Sequence, residues 1–93
     1  MIRSFACKQT ARIWEGRTVR AFPADVQARA LRKLRQIDAA QSPDDLKNPP
    51  GNQLENLKGD RKGQMSIRIN DQWRICFVWR DNEAFDVEIV DYH

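Results

Sequence analysis

The hydrophobic positions of this 93-residue chain change period once, and the change splits it into a helical half and a strand half. Val26, Ala30, Leu34 and Ile37 recur at the helical spacing, and Leu31 widens their stripe. Pro23 suits the first turn of that helix, and Asp25 complements its dipole. Upstream, Ala11 and Trp14 share a helical face within residues 8–15, and Gly16 stands where such a helix stops. Residues 2–7 alternate loosely and predict a short first strand. Ser42-Pro43-Asp44-Asp45 predicts a capped turn through Leu46, which Asn48-Pro49-Pro50-Gly51-Asn52 ends, because consecutive prolines supply no backbone donors.

Beyond that junction the period becomes two. Leu54 and Leu57 open a predicted strand, and Lys58-Gly59-Asp60-Arg61-Lys62-Gly63 reads as a hairpin connection. Residues 65–69 form the next strand, with Met65, Ile67 and Ile69 on one face and Ser66 and Arg68 on the other. After a turn at Asn70-Asp71-Gln72, Trp73, Ile75, Phe77 and Trp79 alternate with Arg74, Cys76, Val78 and Arg80. Asp81-Asn82-Glu83 turns again, and Phe85, Val87 and Ile89 alternate with Asp86 and Glu88. Helices followed by an antiparallel meander predict an α+β fold with the apolar sheet face on the helices. A chain this short supports one core, so residues 1–93 are expected to form a single domain.

Composition narrows the class. At 41% apolar and 31% charged, the chain is neither disordered nor membrane-spanning. Its net charge of +3 is uneven: residues 1–54 hold ten Lys or Arg against five acids, while residues 81–93 hold five acids and no Lys or Arg. Arg29, Arg32, Lys33 and Arg35 line the outer face of the long helix, either as a solvated surface or as a contact for RNA or a partner. Cys7 and Cys76 form no CxxC pattern, and with one histidine they do not make a zinc site. No apolar leader follows Met1-Ile2-Arg3, so a cytoplasmic protein with reduced thiols is expected.

The candidate chemistry gathers in residues 54–74. Arg68 and Arg74 fall on the outward phase of neighbouring strands, and two close guanidiniums repel unless an anion lies between them. A phosphate fits, because the guanidinium fork makes paired bonds to its oxygens. The alternative is an arginine ladder paired with Asp86, Glu88 or Glu83. Lys58, Arg61 and Lys62 add charge at the preceding hairpin. For acid–base work the candidates are His93, which titrates near neutral pH, and Glu55, which could equally pair with Lys58. Asp91 and Tyr92 can position groups or donate hydrogen bonds.

The run LKGDRKG followed by SIRINDQWRICF, with EIVDYH at the end, resembles the HigB-type toxins of bacterial toxin–antitoxin pairs, within the RelE/ParE superfamily. The resemblance covers nearly the whole chain, including MIRSF and PPGNQLENL. It implies helices on an antiparallel sheet of the kind shared with small microbial ribonucleases. It also implies an activity, cleavage of messenger RNA in the ribosomal A site without metal or other cofactor. By this likeness Lys58 and Arg74 stabilise the scissile phosphate, Tyr92 stacks on or orients a base, and Asp91 and His93 complete the catalytic end. Arg61 and Arg68 are supports. Some relatives carry a histidine where Glu55 stands, and relatives commonly have aromatics in place of Gln64-Met65.

The partners implied are the ribosome with its messenger RNA and a HigA-like helix-turn-helix antitoxin, through which alone the chain would meet operator DNA. Two other readings remain open: a ParE-like gyrase inhibitor that cuts nothing, and an inactive relative that acts only with its antitoxin in repression.

Overall fold

The computed structural model describes residues 1–91. Two helices, α1 (Lys8–Trp14) and α2 (Ala24–Ala39), precede four strands, β1 (Glu55–Asn56), β2 (Met65–Arg68), β3 (Trp73–Arg80) and β4 (Glu83–Asp91). The strands form one antiparallel sheet in the order β1-β2-β3-β4, so the expected α+β meander is the fold.

Local chemistry accounts for the helix ends. Cys7 caps α1, its sulfur accepting from the backbone N–H of Thr10, and Gly16 turns out of the helix at φ +88°. Pro23 sits just before α2 as its cap, one position earlier than a first-turn proline. Val26, Ala30, Leu34 and Ile37 are the buried stripe of α2, as their spacing predicts. The connection between the helices is held by Gln27. Its amide oxygen accepts from the Val19 N–H, and its Nε2 donates to the Val19 and Phe22 carbonyls at 2.6 and 2.7 Å. Phe22 then meets Trp73 edge to face, 5.3 Å between centroids, which docks this connection on the start of β3.

Two predicted strands are shorter than their hydrophobic positions suggest. Residues 2–7 make only two isolated parallel bridges to β4, Ile2 to Ala84 and Phe5 to Val87, because α1 begins at Lys8. At β1, Leu54 and Leu57 flank a two-residue strand, and the chain leaves it for a 3₁₀ turn at Gly59–Arg61. Other turns match their residues. Asp81 and Asn82 both adopt positive φ, the two-residue hairpin conformation that Asp and Asn tolerate. Asn70 Oδ1 accepts from the N–H groups of Gln72 and Trp73, closing the β2–β3 turn. A bulge interrupts the β3–β4 register between Cys76 and Val78, near Asp86 at φ +53°.

One face of the sheet supplies Ile67, Ile75, Phe77, Val87 and Ile89 to a core completed by Ile13, Val26, Ala30, Leu34, Ile37 and Leu46. Thr10 is buried with it, and its hydroxyl accepts from the Ile89 N–H at 3.0 Å, tying α1 to β4. Both cysteines are free, as expected. Leu34 is fully buried, so Leu34→Ala is expected to lower unfolding free energy by about 2–5 kcal/mol in urea denaturation. Thr10→Val keeps the shape but orphans the Ile89 N–H; the same measurement should show a loss of about 1–3 kcal/mol.

Candidate active site on the far face of the sheet

The alternate residues of β2 and β3 face away from the core and carry the polar chemistry. Pairing register lines them up in two rows: Glu55, Ser66, Cys76 and Glu88 in one, and Arg68, Arg74 and Val90 in the next. The turn at Asn70-Asp71-Gln72 makes Arg68 and Arg74 direct cross-strand partners.

Arg74 is not the open surface cation that its phase suggests, for only 8% of the residue is exposed. Burying a guanidinium demands that its donors be met. Nε donates to Ser66 Oγ at 2.8 Å, and Nη2 donates to the Gln53 carbonyl at 2.5 Å and the Ser66 carbonyl at 3.4 Å. The Glu55 carboxylate lies 3.3 Å from Nη2 and is half exposed. Glu55 thus pairs with Arg74 rather than with Lys58. Among the described residues no partner bonds Nη1, and no buried side-chain nitrogen or oxygen lacks a partner. Nη1 is therefore the part of the guanidinium that reaches solvent.

The other basic residues divide between two ends of the sheet. Arg68 pairs with Asp71 in its own turn, not with Asp86, Glu88 or Glu83, so the arginine ladder does not form there. Glu83 instead pairs with Arg3. Lys58, Arg61 and Lys62 stand at the opposite hairpin, where Arg61 bonds Gln64 at 3.0 Å and pairs with Glu88 at 3.3 Å. Lys58 and Lys62 are exposed. Between these ends lies Cys76, whose thiol is pushed up chiefly by burial, with Glu88 and Glu55 adding to the effect and Arg61 and Arg74 opposing it. It is a neutral floor between two Arg–Glu pairs.

Asp91, opposite Trp73, accepts from Gln72 Nε2 at 3.1 Å. Tyr92 and His93 lie outside the described residues. On α2, Arg29, Arg32 and Lys33 line a shallow pocket with Gln36 and Ile69, beside a second lined by Gln53, Arg68, Asn70, Asp71 and Arg74. Lys33 is pushed down, first by burial and then by the like charges of Arg32 and Arg68, so the helix face and the β2 end act as one positive field. Among the described residues no group of three or more His, Cys, Asp or Glu side chains converges as a metal cage would need, and no helix is long and apolar enough to cross a membrane.

Ser66 and the Gln53 carbonyl are the contributors that patterning missed. Ser66 shared the outward phase of Arg68, which is a usable signal. A main-chain oxygen leaves none.

Comparison with known proteins adds to this geometry. Residues 3–93 match the model of the HigB-like toxins, described as RelE-like toxin of type II toxin-antitoxin system HigB. Toxin HigB-1 of Vibrio cholerae is 45% identical over 67 residues, covering 72% of this chain and 70% of its own. Endoribonuclease HigB of Proteus vulgaris is 34% identical over 93 residues and the full length of both chains. In fold, the chain resembles a solved YoeB–YefM complex from Staphylococcus aureus, with a TM-score of 0.62 at 18% identity over 100% of this chain and 98% of the other. A family match over residues 3–93, together with 34% identity to a HigB over the full length of both chains, places this chain in the HigB-like family of RelE-like toxins of type II toxin–antitoxin systems.

Proposed function

We propose that this toxin is an endoribonuclease that cuts messenger RNA in the ribosomal A site by acid–base transesterification, and so inhibits translation and growth. The observation that carries the chemistry is Arg74, a guanidinium braced at Nε and Nη2 with Nη1 open to solvent. Such a group is built to meet a phosphate oxygen without first having to be ordered. A general base takes the 2′-hydroxyl proton and the 2′-oxygen attacks phosphorus. The bond to the 5′-oxygen then breaks, and an acid protonates that oxygen, leaving a cyclic phosphate and a 5′-hydroxyl. Arg74 and Lys58 hold the charge on the pentacoordinate phosphate.

In this reading His93 and Asp91 supply the acid–base end, and Tyr92 stacks on a base. The Glu55–Arg74 ion pair supports Glu55 as a counter-ion that braces the arginine, with the role of base falling to His93. Arg68, Arg61 and Lys62 would steer the RNA strand. The exposed Arg29 and Arg32, with Lys33, form a surface suited to ribosomal RNA, whose phosphates attract clustered cations. The partner that would restrain the toxin is a HigA-like helix-turn-helix antitoxin, which would also bring it to operator DNA, and both would act in the cytoplasm.

The test is to induce the protein in growing cells and map the 5′ ends of messenger RNAs. In-frame cuts within translated regions are expected. Arg74→Ala should reduce them by about 10²–10³-fold, and deletion of His93 should abolish them. Toxicity unchanged in both variants would sink the proposal; DNA supercoiling defects without cleavage would point to gyrase, and no toxicity at all to a partner in repression.

A further inference from the structure

Asn52 is completely buried and bonded, in the turn whose Gln53 carbonyl reaches Arg74. Its amide oxygen accepts from Lys33 Nζ, and its Nδ2 donates to Gln36 Oε1 at 3.0 Å and to the carbonyls of Leu46 and Asn48 at 3.2 and 3.3 Å. Two of these partners belong to α2 and two to the segment leading into the turn. A carboxamide buried this way specifies orientation, since every bond has a direction that an apolar side chain of equal volume would not impose.

The next residue, Gln53, adopts the left-handed conformation at φ +45°, and its carbonyl is the oxygen that receives Arg74 Nη2 at 2.5 Å. A non-glycine residue holds that conformation only where its surroundings require it. Gln53 itself is exposed, and its N–H donates to the Pro50 carbonyl at 3.1 Å within the turn that Asn52 anchors. A guanidinium is planar, so bonds at Nε and Nη2 together fix the direction of Nη1. Ser66 supplies the first of these bonds from the sheet, and the Asn52-anchored turn supplies the second.

We propose that Asn52 is a positioning residue for Arg74: it ties the turn at residues 49–53 to α2 so that the Gln53 carbonyl aims the guanidinium. The proposal rests on the reading that Arg74 meets the scissile phosphate. Without Asn52 the turn loosens, Nη2 loses its carbonyl, and the guanidinium swings toward the half-exposed Glu55. The charge stays in the site but its aim is lost.

The experiment measures messenger RNA cleavage by the full chain in a purified translation reaction, comparing Asn52→Ala, Gln36→Ala and Arg74→Ala with the parent. Thermal melting and the Arg74 Nε–Hε signal in nitrogen-15-labelled protein are recorded alongside. Asn52→Ala is expected to lower kcat by about ten- to a hundred-fold while KM changes by less than about two-fold. It should also shift and broaden the Arg74 signal while the exposed arginines keep theirs. Gln36→Ala removes one anchor of Asn52 and should give the same pattern at smaller amplitude. It decides the matter if Asn52→Ala does not fold. Folded variants that keep the parent's kcat and Arg74 signal overturn the proposal. So does a fall in activity that merely tracks the folded fraction. Arg74→Ala cleaving at the parent's rate would instead overturn the function assigned to Arg74, and the Nε–Hε signal would still decide whether Asn52 positions it.

Discussion

A guanidinium can be taken out of water only if protein atoms replace the water around it, and that constraint organises this molecule. Arg74 sits in β3 between Trp73 and Ile75, and Ile75 belongs to the core. Strand alternation therefore drives the arginine to the far face, where side chains alone could not satisfy it. Ser66 comes from the neighbouring strand, Glu55 from the edge strand, and Gln53 from the turn that precedes it. The helices matter to the site at one remove. They form the other wall of the core, and α2 also anchors the turn that delivers the Gln53 oxygen.

Electrostatics then distributes the remaining charge. Each end of the Ser66–Cys76 floor carries an Arg–Glu pair, Arg74 with Glu55 and Arg61 with Glu88. Partly exposed pairs such as Arg61–Glu88 add little stability. Their use lies in keeping cationic side chains ordered near one another at reduced repulsion. Among the described residues no ion pair holds Arg29 or Arg32, which are exposed on α2. Exposed charges act on a polyanion at long range, whereas braced ones are held for alignment at short range.

Much of the fold was legible because periodicity reports burial. The stripe of α2 and the eight residues of β3 follow from spacing, and the three turns of the meander from their Gly, Asn and Asp residues. Strand length at the margins was not, since Leu54 and Leu57 look like strand residues whether or not backbone pairing continues beyond them. The site was legible in membership and less so in geometry. The adjacency of Arg68 and Arg74 follows from the hairpin, whereas the burial of Arg74 depends on a loop folding back over it. The partners of Glu55 and Arg68 illustrate the same limit. Glu55 found Arg74 across the fold rather than the nearby Lys58, whereas Arg68 took the carboxylate three residues on, in its own turn, rather than one across the sheet.

The attachment of the chain's first residues to its last strand has a consequence for synthesis. Ser4 accepts from Asp86, 82 residues away, and Thr10 accepts from Ile89, 79 residues away. Synthesis therefore makes one partner of each bond long before the other. Until β4 has emerged, the first residues have no sheet edge to join and the core lacks Val87 and Ile89. The domain therefore completes its core only once β4 is available, and a chain that stops short of β4 lacks both these bonds and part of that core.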